Sequence, residues 1–276
     1  MNFTIVRKEG GTIAWSEDQM KYIINEYKKG KTLSALGREF EVSYGTIRNF
    51  LKRNGIKMLG NKHNYPRNEH YFSQINSIEK AYWLGFLYAD GCVHEKTNEI
   101  SITLKESEHL EKFRNAIGAI NHKVGSYIDK RWKSKPTIYY FSIKDFRLKS
   151  DLIKWGCVPN KSLTISSIPN VPRDYTSHFL RGYYDGDGSL HWSQNTNNFR
   201  ISFTGTKDFL AEIKKELNVS VSISQLDNNK SYYLQIAGKN QVERILNYLY
   251  RNSEKNIRLD RKYNLYKECL QWAHRH

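Results

Sequence analysis

Residues 83–94 read WLGFLYADGCVH, and residues 180–191 read LRGYYDGDGSLH, an offset of 97. A chain that repeats a segment at long range is built from copies of one structural unit, and the similarity here extends beyond the motif. Ile100-Ser101-Ile102-Thr103 matches Ile201-Ser202-Phe203-Thr204 at an offset of 101, and Tyr139–Ile143 matches Tyr232–Ile236 at an offset of 93. The drifting offset places loops of unequal length between corresponding strands. Each unit reads helix, two strands, helix (106–117 and 207–216), two strands, helix (145–155 and 240–251), and a last amphipathic helix covers 258–272 with Leu259, Tyr263, Tyr266 and Leu270 on one face. Ile100, Ile102 and Leu104 alternate with Ser101, Thr103 and Lys105, as do Phe199, Ile201 and Phe203 with Arg200, Ser202 and Thr204. Val219, Val221 and Ile223 alternate with serines in the same way. Such strands build antiparallel sheets with one packed face and one polar face. The expected class is α/β (α+β), with repeats at 76–170 and 171–276.

Ahead of the repeats, residues 14–58 carry a 3.6-residue apolar period in three short pieces. Ser16 caps a helix from Glu17 to about Lys29 that Gly30 stops. A second runs from Leu33 to Phe40, and a third from Tyr44 to Asn54 follows the Ser43 cap and closes at Gly55. In the third, Ile47, Phe50 and Leu51 face inward while Arg48, Asn49, Lys52 and Arg53 face out, a helix-turn-helix pattern suited to base edges and phosphates. The expected organisation is an all-α domain at 1–58 and a linker at 59–75.

Forty-four Lys and Arg against 28 Asp and Glu leave a net charge of +16, and chains this basic commonly meet a polyanion, because neutralising phosphates releases condensed counterions. The basic loop 129–135 contributes Lys130, Arg131 and Lys133; with Lys105, Arg200 and Lys262 these join the third helix as candidate DNA contacts. A two-stranded ribbon fits the major groove, where such side chains read base edges. No apolar run reaches the length of a membrane span, and residues 1–20 lack a signal-peptide core. A cytoplasmic protein, neither secreted nor membrane-bound, is expected. Cys92, Cys157 and Cys269 are three, far apart and without a CxxC pair, so they are expected to be buried thiols rather than disulfide or zinc ligands.

The twin motifs hold the chemistry. Gly85 and Gly182 lack side chains, so two such helices of one and a half to two turns can pack backbone against backbone, and Gly91 and Gly188 end them. Asp90 and Asp187 then arrive together at two helix C-termini, where they repel each other and face two negative dipole ends. A divalent cation relieves that arrangement. Magnesium is the natural occupant, with Mn²⁺ able to substitute, because hard oxygen ligands suit it and it keeps water for hydrolysis.

AYWLGFLYADG (81–91) and FLRGYYDGDGSL (179–190), together with NKS (160–162) and LDRKY (259–263), resemble the LAGLIDADG homing endonuclease family over about residues 76–272. The first copy departs by carrying Tyr88 where an Asp is common; the second keeps Asp185. The resemblance implies a pseudo-twofold core of two αββαββα repeats whose antiparallel sheets form a saddle over double-stranded DNA with a long target site. It also implies metal held by Asp90, Asp187, Gly91 and Gly188, staggered cuts, and a basic residue near the active site at Lys144, with Lys239 near its counterpart; Lys105 and Lys262 are further basic candidates for that place. A monomer suffices, since both motifs lie in one chain. His94 and His191, at matching positions, are expected to contact bases or phosphates. The competing expectations on this scaffold are a maturase that binds intron RNA and an inactive DNA-binding regulator. An intein is not expected, since the sequence begins Met1-Asn2 and ends His274-Arg275-His276 without a splicing nucleophile or a His-Asn end.

Overall fold

The computed structural model describes residues 6–7, 13–29, 31–56, 66–194, 197–226, 231–254 and 257–275. They divide into two compact units, one holding the residues up to Arg67 with Gly118–His122, the other Asn68–Ile117 and Lys123–His276.

In the first unit a two-stranded antiparallel pair, β1 (Val6–Arg7) and β2 (Ile13–Ala14), precedes three helices, α1 (Glu17–Lys28), α2 (Leu33–Glu39) and α3 (Tyr44–Arg53). Each helix starts at a hydroxyl that satisfies an otherwise orphaned amide. Ser16 forms a full capping box with Gln19, Thr32 accepts from Ala35 N at 3.1 Å, and Ser43 from Thr46 N at 3.1 Å. Ile23, Tyr27, Leu36, Phe40, Ile47, Phe50 and Leu51 form the core, with Trp15 packed edge-on against Phe40. Between α2 and α3 the chain reverses through Glu41, whose φ of 51° lies in the left-handed region. Gly37 makes that reversal possible, because a Cβ there would lie 2.8 Å from the carbonyl oxygen of Val42. The hairpin is an addition to the expected all-α unit; its strands are two residues each, below what alternation can reveal. Gly30, the expected helix stop, and residues 57–65, which include the first part of the expected linker, lie outside the described residues. Residues 68–75, expected to be linker, instead belong to the second unit, where Tyr71, Phe72 and Ile75 are buried. Their apolar spacing is too irregular to read as an element.

The second unit repeats one element order twice. The first pass is α4 (Ile78–Ala89), β3 (Gly91–Val93), β4 (Glu99–Leu104), α5 (Ser107–Ala116), β5 (Gly125–Ile128), β6 (Thr137–Lys144) and α6 (Phe146–Lys154). The second is α7 (Thr176–Asp187), β7 (Gly188–Ser193), β8 (Asn198–Gly205), α8 (Lys207–Glu216), β9 (Ile223–Gln225), β10 (Tyr232–Ala237) and α9 (Lys239–Tyr250), followed by α10 (Asp260–Arg275). Two antiparallel four-stranded sheets result, ordered β3-β4-β6-β5 and β7-β8-β10-β9, the same order in each repeat. Their inner faces carry Ile100, Ile102, Phe141 and Ile143 in one sheet and Ile201, Phe203, Leu234 and Ile236 in the other, all buried. The α/β architecture with duplicated antiparallel sheets is the expected one. Val219 and Val221 fall before β9, because the chain pairs with β10 only from Ile223. Cys157 and Cys269 are buried as expected. Cys92 is exposed, since it is the outward residue of β3 between buried Gly91 and Val93.

Each motif helix has 12 residues, longer than the one and a half to two turns expected, because Ser77 caps α4 a full turn ahead of the motif and a 3₁₀ turn leads directly into α7. The two helices meet at their glycines. A Cβ on Gly85 would stand 1.9 Å from the carbonyl oxygen of Phe179, and one on Gly182 would stand 2.0 Å from that of Tyr82. Neither obstacle is a side chain that could swing away. Gly85→Ala must therefore separate the helices, and we expect it to lower unfolding stability by about 3 kcal/mol, the upper part of the overpacking range, measured by urea denaturation. A loss within experimental error would show that the helices tolerate a wider spacing.

Candidate active site

The close helix crossing brings the motif ends together. Asp90 caps α4, and Asp187 is the last residue of α7. The carboxylate of Asp90 lies beside the other helix: a Cβ built on Gly186 would be 3.3 Å from its Oδ2. Burial, then the neighbouring charge of Asp187, pushes Asp90 up to about 6. Burial also raises Asp187. Asp187 nevertheless reaches solvent, so its carboxylate opens to water from surroundings dense with protein. Among the described residues, neither carboxylate accepts a hydrogen bond.

Asp185, two residues earlier in α7, is the opposite case. It is fully enclosed and accepts from Tyr82 Oη at 2.8 Å, Tyr250 Oη at 2.8 Å and Leu259 N at 2.7 Å. Asp185 is thus satisfied wholly within the protein, whereas the two motif carboxylates keep their lone pairs for solvent or a ligand.

Two buried lysines flank the pair. Lys161 Nζ donates to the carbonyl of Gly91, and Lys262 Nζ donates to that of Gly188 and, at 2.6 Å, to that of Tyr184. These are equivalent positions, the glycine after each motif acid. Lys262 is pushed down to about 8 by burial, which the acids partly oppose. Both ammonium groups lower the acids' affinity for protons. Lys262, expected among the DNA contacts and also as a further basic candidate near the active site, lies under the motif. Lys161, within the NKS segment, was not singled out from sequence. The signal was available: the offset of 101 that relates Ile100 to Ile201 also relates Lys161 to Lys262.

The other expected basic residues stand elsewhere. Lys144 is exposed, pairs with Glu99 at 3.5 Å, and sits three register positions along β6 from Phe141, the residue level with Gly91. That distance is about 10 Å of strand. Lys239 opens α9, past Ala237, and β10 is level with Gly188 at Leu234. Among the loop residues, Lys130 and Lys133 are exposed, while Arg131 spends its guanidinium on Asp129, at 2.9 and 2.8 Å. Lys105 is exposed just beyond β4, and Arg200 reaches Gln235 at 3.3 Å across the polar sheet face. On that face Ser189 meets Ser202 at 2.7 Å; in the first sheet His94 meets Ser101 at 3.0 Å, and His191 is exposed at the matching place. In the first unit Arg48, Asn49, Lys52 and Arg53 are all exposed along α3, next to Tyr44.

A cavity of about 170 Å³ opens beside the second acid, lined by Lys161, Tyr183, Asp187, Thr204 and Thr206 among others. A larger one of about 860 Å³ lies where the motif helices begin, at Asn76 and Thr176, away from the acids. Among the described residues no group of three or more His, Cys, Asp and Glu could hold a metal, and no helix is long and apolar enough to cross a membrane. The donor set at the acids is two carboxylates, hard oxygen ligands that fit a magnesium-type cation keeping most of its water; the Gly91 and Gly188 carbonyls, expected beside them as ligands, are each engaged by a lysine.

The raised acid has a pH consequence. A carboxyl at about 6 in the folded chain and near the ordinary 3.9 when unfolded stabilises the fold while protonated. That contribution is complete below about pH 4 and is lost as pH rises through 6. In EDTA, Asp90→Asn is therefore expected to melt above the wild type at pH 7.5, with the gap closing by pH 4. Scanning calorimetry across that range checks it, and equal melting temperatures at pH 7.5 would remove the penalty on Asp90.

Comparison with known proteins bears on this geometry. Residues 174–250, which contain the second motif, match the family model of the LAGLIDADG-like domain. A DNA polymerase of Acanthamoeba polyphaga mimivirus is 26% identical over 195 residues, 65% of this chain, and the match spans 11% of that polymerase. Similar solved structures include the I-SmaMI LAGLIDADG homing endonuclease bound to cleaved DNA (13% identity, 70% of this chain and 88% of that one, TM-score 0.47). The LAGLIDADG meganuclease I-AabMI bound to uncleaved DNA is another (12%, 70% and 89%, TM-score 0.45). Full-length DUF199/WhiA from Thermatoga maritima is a third (16%, 74% and 64%, TM-score 0.44). Residues 174–250 thus resemble a LAGLIDADG-like domain, and the first repeat presents the same element order around the other copy of the motif.

Proposed function

We propose that this protein is a metal-dependent endonuclease that cuts both strands of DNA at a long, specific site. The observation that carries the reading is the pair of acids at the helix crossing: Asp90 and Asp187 come one from each repeat, accept no hydrogen bond among the described residues, and have buried lysines beside them. Two carboxylates held so close are unfavourable without a cation, and a structural interface would have paired them with donors, as it does for Asp185.

Asp90 and Asp187 would hold a divalent ion, magnesium or manganese, with the Gly91 and Gly188 carbonyls near it. Bound there, the ion supplies water activation and charge neutralisation for phosphodiester hydrolysis. The chain's own groups do the rest. The lysines fix the carbonyls that end each motif helix and keep positive charge near the scissile phosphates. The polar sheet faces, with Ser101, Ser142, Arg200, Ser202, Thr204 and Gln235, offer donors and acceptors to base edges. The net charge of +16 draws in the phosphate backbone, so affinity falls steeply with salt. Because one chain supplies both acids, a monomer completes the site.

The three-helix unit would act as a second reading head. Helix α3 exposes Arg48, Asn49, Lys52 and Arg53 on one side of a helix whose other side is core, the arrangement of a helix laid in a major groove. Tethering that unit to the core lengthens the target and raises affinity through effective concentration.

Two tests follow. Asp90→Asn or Asp187→Asn is expected to abolish Mg²⁺-dependent double-strand cleavage of a target selected from a random duplex library while leaving Ca²⁺-supported binding within about twofold; undiminished cleavage by either variant would falsify the metal assignment. The double change Arg48→Ala, Arg53→Ala is expected to weaken binding of that target at least tenfold, in line with two lost phosphate or base contacts, in a filter-binding titration at fixed salt. Unchanged affinity would take α3 out of recognition.

A further inference from the structure

Lys161 and Lys262 reach equivalent carbonyls from unlike pieces of chain. Lys161 stands in the 3₁₀ turn Lys161–Leu163 that follows α6 in the first repeat, and Lys262 in the first turn of α10. An ammonium on a long flexible stem stays at one carbonyl only if its backbone is held. In both halves a tether runs from the same motif position, two residues before the acid.

In the second motif that residue is Asp185. Its Oδ2 accepts the amide of Leu259 at 2.7 Å, and Leu259 directly precedes α10, three residues before Lys262. Lys262 then closes on Tyr184, the residue before Asp185, at 2.6 Å. In the first motif the residue is Tyr88. Its hydroxyl donates to the carbonyl of Trp155, at the end of α6 and six residues before Lys161. The polarity is reversed, a carboxylate receiving from an amide in one half and a phenol giving to a carbonyl in the other. The connection is the same. Both side chains are buried within the helix pair, where a polar group without a purpose costs stability and an apolar one of similar size would pack as well.

We propose that Tyr88 and Asp185 are positioning residues, each aiming the lysine of its own repeat at the carbonyl that ends its motif and thereby governing cleavage of one DNA strand. Tyr88, which departs from the usual motif, is then a working substitute for the carboxylate. The strand assignment rests on the nuclease reading; the aiming of the lysines does not.

Two measurements on the full-length protein separate these parts. The first is competitive labelling with trace acetic anhydride and no DNA present, read peptide by peptide by mass spectrometry. Tyr88→Phe is expected to raise the labelling of Lys161 about tenfold, the effect of losing one hydrogen bond of usual net strength, and to leave Lys262 unchanged. Asp185→Asn is expected to do the reverse in the limiting reactivity reached at high pH, where the amine is neutral in both proteins and the lost charge of Asp185, which favours protonated Lys262, no longer contributes. A rise at both lysines in either variant, or at neither, overturns the proposal, since general loosening is not selective. The second follows each strand of the library-selected duplex with Mg²⁺. Tyr88→Phe should slow the strand that Lys161→Met slows, and Asp185→Asn the strand that Lys262→Met slows. Equal slowing of both strands rejects the link from lysine to strand. If the wild type cuts no DNA, the nuclease reading fails and the labelling result still decides the positioning claim.

Discussion

Backbone against backbone at Gly85 and Gly182 is the contact on which the second unit depends. Each glycine would drive a methyl group into a carbonyl oxygen of the opposite helix, so the approach is symmetric and leaves no slack. Because the helices cross there, their C-terminal ends emerge close together, and every later feature follows from that proximity. The two acids share one neighbourhood, and β3 and β7 leave the seam at Gly91 and Gly188 to start the two sheets.

The seam concentrates unfavourable electrostatics and then offsets only part of it. Two carboxyls are raised by burial at the negative ends of two helices. Lys161 and Lys262 return positive charge, but they spend their hydrogen bonds on backbone carbonyls rather than on the acids. Asp185 shows that the fold can satisfy a buried carboxylate fully when it is structural. That the two motif acids are left without donors, a short distance away, is the contrast from which the metal reading draws its force.

Helix α10 gives the second repeat a feature that the first lacks. Its start is fastened to α5 of the first repeat, Lys112 meeting Asp260 at 3.0 Å and Arg261 meeting Glu106 at 2.9 Å, while Leu259 docks on α7. The helix thus ties both repeats together as it delivers Lys262. The 3₁₀ turn that delivers Lys161 is short and ends before the connection to the second repeat. The duplicated unit carries two lysines in equivalent places, held by unequal means.

The repeat, its two glycine-acid motifs and the alternation of the strands were legible in the sequence, because periodicity and self-similarity are one-dimensional properties. So were the caps Ser16 and Ser43, which act within a single turn. Residues 68–75 and the short β1–β2 hairpin were not, having too few residues for a period to emerge. Of the basic residues at the acids, Lys262 was among the sequence candidates, while Lys161 was missed and Lys144 was misplaced there for a different reason. Lys144 ends β6, which is level with Gly91 at Phe141, so register carries it about 10 Å further along the strand, whereas Lys161 and Lys262 are 70 and 74 residues from the glycines they meet. Sequence by itself determined that the motif helix, its sheet and its acid would each occur twice, and that the two acids would be paired. Which cations face them was decided only by tertiary structure, because a side chain's partner across a fold depends on where distant turns close, and no local pattern records that.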